Sequence, residues 1–240
     1  MAISGGMAGK RKVENVEIDM LYDLETELAP QPGPWRIILA VMLALLIILM
    51  VVPFYSIKVN PEPKALLTYE EALWGLDLRQ TNHSAVAYAD FPLSAKQASN
   101  DQLIKTVADR IVSQSCAHAQ GEARRVCHAK ALFYFVRDNF NYVADPSSFE
   151  YIKTAQESIL STGGDCDDAS LLLASLLSSV GIETRFVFVP RHVYIQARLP
   201  EAIKRYQDDD GWVDLDATCD GCGFGEAAPS AVGARKAIVG

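Results

Sequence analysis

The chain has 240 residues, with 30 acidic against 22 basic side chains and a formal net charge of −8. An acid excess of this size, with no Lys/Arg cluster beyond Lys10-Arg11-Lys12, argues against a nucleic-acid partner. Half of the residues are apolar, and the length suits one or two domains with a sizeable core.

Residues 1–35 read as a disordered tail: a small basic cluster, then scattered carboxylates, then Pro30-Gln-Pro-Gly-Pro. A weak apolar stripe of Val16, Met20, Leu21 and Leu24 leaves room for a short docking helix over Val13–Leu28. From Ile37 to Ile57 no charge interrupts the chain, and this length is what a bilayer core demands. Trp35 and Tyr55 stand where interfacial aromatics belong, with Arg36 and Lys58 outside them. Residues 36–57 are therefore expected to be a transmembrane helix with the lipid bilayer as partner. A cleaved signal peptide is the alternative, against which the long preceding segment and the lack of a small-x-small site both count. Lys10, Arg11, Lys12 and Arg36 before the span, against Lys58 and Lys64 after it, favour a cytoplasmic N-terminus and an extracytoplasmic domain.

A connector over 58–100 follows, in which Thr68 and Glu71 form a capping-box pattern for a short helix. His83, alone among polar neighbours, reads as a solvated loop histidine. Asp101–Ser115 and Gly121–Phe140 read as two longer helices, the second with Val126, Ala129, Leu132, Phe133, Val136 and Phe140 along one face. Asn139-Phe-Asn-Tyr-Val-Ala-Asp-Pro then turns the chain.

Next comes Ser161-Thr-Gly-Gly-Asp-Cys-Asp-Asp, in which Gly163 and Gly164 allow a tight turn, followed by a helical pattern up to Gly181, a natural C-cap. Leu172, Leu173, Leu176, Leu177 and Val180 predict one buried stripe. Cys166 falls in the first turn, where free N–H groups and the helix dipole favour a thiolate, although Asp165, Asp167 and Asp168 oppose it by like charge. A buried structural cysteine is the bland reading of the same residue. Downstream, Phe186–Leu199 reads as two β-rich runs joined at Pro190, with His192 opening the second. Gly211-Trp-Val-Asp-Leu-Asp-Ala-Thr reads as a strand with Asp214 and Asp216 on one face. Cysteine, histidine and carboxylate in that order are the inventory of a thiol hydrolase or acyl transferase.

These pieces, Gly-Gly-Asp-Cys-Asp-Asp at 163–168, Arg-His-Val-Tyr-Ile at 191–195 and Trp-Val-Asp-Leu-Asp-Ala-Thr at 212–218, resemble the transglutaminase-like superfamily of papain-like cysteine enzymes. The resemblance runs from Asn139 to Thr218, about a third of the chain. It implies an α+β fold: a papain-like, transglutaminase-like core with the catalytic helix packed on an antiparallel sheet, preceded by helices and the transmembrane helix. It implies Cys166, His192 and Asp216 as the triad, and it alone chooses Asp216 over Asp214. Val193 departs from the pattern, since many relatives carry an aromatic residue after the histidine.

Setting Cys166 aside leaves Cys116, Cys127, Cys219 and Cys222, an even number suited to two disulfides in an oxidising compartment. The pairing is either Cys219 with Cys222 or each of these with one of Cys116 and Cys127. A zinc site on the same four cysteines, with His118 and His128 beside one pair, is the weaker alternative, and a redox Cys-x-x-Cys a weaker one still. No cofactor is expected. The domain is taken as 101–226 and residues 227–240 as a tail that adds little.

The expected function is membrane-anchored attack by Cys166 on an amide or peptide bond of a protein or peptide substrate, the acyl-enzyme passing to water or an amine. The Cys166 N–H is one expected oxyanion donor, and Tyr142, Tyr151 and Gln156 are candidates for the second. The carboxylates around Cys166 are expected to cap its helix or pair with Arg185 or Arg191. The rivals are a catalytically silent interaction module of the same fold and a zinc-stabilised binding domain.

Overall fold

The structure, a computed structural model, describes residues 33–76, 78, 84–146, 149–208 and 210–240, with the backbone course alone for 52–59. The docking helix over 13–28 and His83 lie outside the described residues. The chain divides into two compact units, Met1–Pro53 and Phe54–Gly240.

Helix α1 (Pro34–Val59) starts two residues before the expected span, with Pro34 in the first turn, where its missing N–H costs nothing. Its first 18 residues, Pro34–Val51, are long and apolar enough to cross a membrane, and all of their side chains are exposed. A signal sequence would meet the same test of length and composition.

The second unit is mixed α+β. After α1 the connector is clamped to the domain. Lys130, fully buried, donates from Nζ to Asn60 Oδ1 at 2.7 Å and to the Glu62 carboxylate, beneath the rings of Tyr206 and Phe224. Helix α2 (Tyr69–Leu73) carries the expected capping box between Thr68 and Glu71. Helix α3 (Phe91–Ala98) is a second helix in the connector that the sequence pattern does not announce. Pro92 sits in its first turn, and its anchor is Phe91, which is fully buried with its ring 4.9 Å from that of Phe186. Helices α4 (Gln102–Ser115) and α5 (Ala123–Asn139) follow, joined by a disulfide between Cys116 and Cys127.

Strand β1 (Asn141–Tyr142) pairs in parallel with β2 (Gly163–Gly164), with helix α6 (Ala155–Ser161) between them. Helix α7 (Cys166–Ser179) is the centre of the unit and packs against α3, α4, α5 and α6 and against the sheet. Every residue from Asp167 to Leu177 is buried, so the expected single stripe is replaced by burial on all sides. The buried hydroxyls of Ser170 and Ser175 are satisfied by the carbonyls of Val193 (3.1 Å) and Leu171 (2.7 Å).

The main sheet is antiparallel in the order β5 (Trp212–Leu215), β4 (His192–Arg198), β3 (Thr184–Val189), β6 (Ala237–Val239). The β3–β4 hairpin turns through Pro190 and Arg191, the latter at φ 63°. Strand β6 corrects the reading of the tail as inert. Residues 227–240 add an edge strand to β3 and bury Ala231 in a small cluster with Val187, Val189 and Tyr194.

Candidate active site

Local rules place Cys166 at the helix start. Gly163 and Gly164 lead in, and the geometry requires glycine at both. A Cβ on Gly163 would lie 2.8 Å from the Asn141 carbonyl oxygen, and one on Gly164 would lie 2.1 Å from Asp168 Oδ2. Asp165 is the N-cap, and its carboxylate accepts the N–H groups of Asp167 and Asp168. Cys166 supplies the first helical N–H, which has no acceptor within the helix. Asp168, wholly buried, returns the capping box and pairs with Lys153, whose Nζ lies 2.6 Å away and whose backbone N–H donates at 2.7 Å. The partner of this carboxylate is thus Lys153, in place of the expected Arg185 or Arg191. Arg185 reaches Gln196 and Asp208 instead.

A cleft of about 710 Å³ opens at the α7 start, and Cys166, Asp167, Tyr88, Tyr142, Arg191 and His192 are among the residues lining it. His192 opens β4, and its Nε2 lies 2.7 Å from Asp216 Oδ2, leaving Nδ1 as the ring nitrogen without that bond. Asp216 lies one residue beyond β5, only 1% exposed. It is held by Thr218, whose N–H and hydroxyl donate to Oδ1 (both 3.3 Å), and by the Ala228 N–H, which donates to Oδ2 at 3.1 Å. Asp214 is occupied by Gln196 Nε2 at 2.6 Å, in register across β4 and β5. The structure therefore separates the two carboxylates that strand periodicity leaves equivalent.

The sulfur of Cys166 is the one free thiol among the described cysteines, half-buried, with Asp167 Oδ1 3.7 Å away. Burial first, then the charges of Asp167 and Asp165, push its pKa up to about 12, while a hydrogen bond from the Val193 N–H pulls the other way. Burial and the two carboxylates outweigh that bond, in line with the expected opposition of the flanking carboxylates to a thiolate. Asp167 is pushed up by burial foremost, although the Tyr88 hydroxyl, which donates to it at 2.5 Å and to Glu150 at 3.0 Å, favours its ionised form.

Family comparison then gives the setting: the transglutaminase-like superfamily model matches residues 108–217. Residues 108–217 form a transglutaminase-like superfamily domain. No curated protein matches the sequence. Among solved structures, Legionella pneumophila LapG is 17% identical, with a TM-score of 0.38 over 64% of this chain and 83% of that one. A proposed cysteine protease from Cytophaga hutchinsonii is 17% identical, with a TM-score of 0.37 over 65% and 52%. A proposed protease from Parabacteroides distasonis is 14% identical, with a TM-score of 0.37, and the match spans 53% of this chain and 26% of that one. At these scores nothing about activity passes from them to this chain.

The transglutaminase-like domain brings Cys166 and His192 to one cleft and His192 to Asp216. Of the candidate oxyanion donors, Tyr142 lines the cleft, the Tyr151 hydroxyl donates to Glu157 at 3.0 Å, and Gln156 lines a separate cavity beside α3 and α6. Cys219 pairs with Cys222 as Cys116 does with Cys127, so none of the four offers a thiolate to zinc. Asp145, Glu150 and Asp165 bring carboxylate oxygens within 4.8 Å of one another, and Asp165, Cys166 and Asp167 do likewise, the sulfur counting as one of the ligand atoms. Among the described residues, these are the groups that could hold a cation. Tyr88, Glu150 and the Ala228 N–H are missing from the sequence reading. Tyr88 lies 79 residues from Asp167 with no motif linking them, and a backbone N–H leaves no mark in a sequence.

Proposed function

We propose that the chain is a membrane-anchored, transglutaminase-like cysteine enzyme that acts on amide or peptide bonds of a protein or peptide substrate. The observation that carries this reading is the 2.7 Å contact between His192 and buried Asp216, with His192 and Cys166 lining one cleft. Burial and the flanking Asp167 and Asp165 favour the neutral thiol. In this mechanism His192 acts on it as a general base. His192 Nδ1 takes the thiol proton as Cys166 attacks the carbonyl, and Asp216 Oδ2 fixes the tautomer and steadies the imidazolium. The Cys166 N–H receives the developing oxyanion. The proton returns from His192 to the leaving amine, and water or a second amine resolves the thioester. In this reading α1 anchors the domain, with its N-terminus cytoplasmic, and the two disulfides suit the oxidising side.

The high thiol pKa is also what a silent interaction module would tolerate, and one experiment separates the two readings. The full-length chain in detergent is treated with iodoacetamide at pH 7.5, and Cys166 modification is followed by mass spectrometry in wild type and His192→Ala. The enzyme reading expects slower modification in the variant. Equal rates would sink it.

A further inference from the structure

We propose that the hydroxyl of Tyr142 is the second oxyanion donor, acting beside the Cys166 N–H; the assignment rests on the acyl-transfer reading above. Its backbone is fixed by the strand that delivers the nucleophile. Tyr142 is in register with Gly164, the Asn141 N–H donates to the Thr162 carbonyl at 3.0 Å, and the Val143 N–H donates to the Gly164 carbonyl at 2.7 Å. The two glycines that admit no Cβ are what let this short ladder form so close to Cys166. Tyr142 thereby borders the same cleft as the sulfur, and it also borders a second cavity of about 520 Å³ on the side of the Cys219–Cys222 loop.

Among the tyrosine hydroxyls in and near the cleft, elimination leaves one group. The Tyr88 hydroxyl is committed to Asp167 and Glu150, and the Tyr151 hydroxyl to Glu157. The Tyr142 hydroxyl makes no hydrogen bond among the described residues. Partial desolvation, then the nearby Cys166, Asp165 and Asp167, raise its pKa, so it stays a neutral O–H although the residue is 60% exposed. A neutral, uncommitted donor at the cleft is what a tetrahedral oxyanion needs and what the ground-state carbonyl uses less.

The test uses p-nitrophenyl acetate and the full-length chain in detergent. The sulfur bonds the acetyl carbon, the carbon–oxygen bond breaks, p-nitrophenol leaves with the thiol proton by way of His192, and Cys166 gains an acetyl thioester. Tyr142→Phe removes the hydroxyl and keeps the ring. We expect it to acetylate roughly a hundredfold more slowly, while iodoacetamide, which passes through no oxyanion, alkylates Cys166 at the wild-type rate. Tyr151→Phe is expected to acetylate like wild type. Acetylation unchanged in Tyr142→Phe would overturn the assignment and leave the enzyme reading intact, and an equal fall in acetylation and alkylation would overturn it in favour of a role in activating the thiol. Absence of any Cys166 adduct from wild type would instead remove the enzyme reading, and this assignment with it.

Discussion

The two walls of the cleft are built on opposite terms. On the sheet side His192 lines the cleft, and the polar groups behind it are matched in two separate sets: His192 with Asp216, held by Thr218 and Ala228, and Asp214 with Gln196, held by Arg185. On the helix wall, Asp145, Glu150, Asp165 and Asp167 line the cleft, and the buried cap Asp168 has taken Lys153 for itself. The difference teaches how the labour is divided. In the mechanism we propose, the sheet wall holds the base in a fixed orientation, whereas the helix wall keeps the nucleophile neutral until that base acts.

Breaking the sheet wall has the largest expected effect. Asp216→Ala frees the His192 tautomer and leaves the Thr218 and Ala228 donors unpartnered. The rate of Cys166 acetylation by p-nitrophenyl acetate is expected to fall by about 10²–10⁴-fold. On the helix wall, Lys153→Met strands the buried Asp168 charge and is expected to cost about 3–5 kcal/mol in urea unfolding.

The contrast is sharpened by pH. Since burial holds the Cys166 thiol near 12, its iodoacetamide rate in the His192→Ala variant should climb about tenfold per pH unit from pH 7 to 10. A plateau at pH 8 would contradict the neutral resting thiol. Asp167→Asn removes a negative neighbour, stabilises the thiolate and should move that whole curve to lower pH.

The smallest effects concern the disulfides, which also fall on different sides of the molecule. Cys116–Cys127 spans 11 residues between α4 and α5, and Cys219–Cys222 only 3 in the loop after Asp216. By loop-closure entropy the double serine variants should cost about 3 and about 2 kcal/mol respectively. Only the second pair lies between the Thr218 and Ala228 donors to Asp216, so its loss should slow acetylation as well as lower the melting temperature.

Local signals carried much of this fold into the sequence. Two glycines, an aspartate cap and an apolar run mark α7, Pro190 marks the hairpin, and Thr68 with Glu71 marks α2. What stayed hidden depends on distance along the chain. Helix α3 is short and carries Pro92, and Phe91 explains it only once Phe186 is known to face it. The choice of Asp216 over Asp214 came from family resemblance, because both alternate to the same side, and the Gln196 bond that occupies Asp214 is a register effect. The direction of the Cys166 shift stays open in the sequence, where a helix start and flanking carboxylates pull opposite ways, because the desolvation that dominates it belongs to the assembled protein.

Strand β6 carries a practical consequence. Val239 borders the cleft and Gly240 follows it immediately. Strand β6 runs antiparallel to β3, and Gly240 lies against Thr184 and Arg185, at the end of β3 away from the hairpin that carries His192. A fluorophore attached there would stand beside the rim residue Val239 without touching a reacting group.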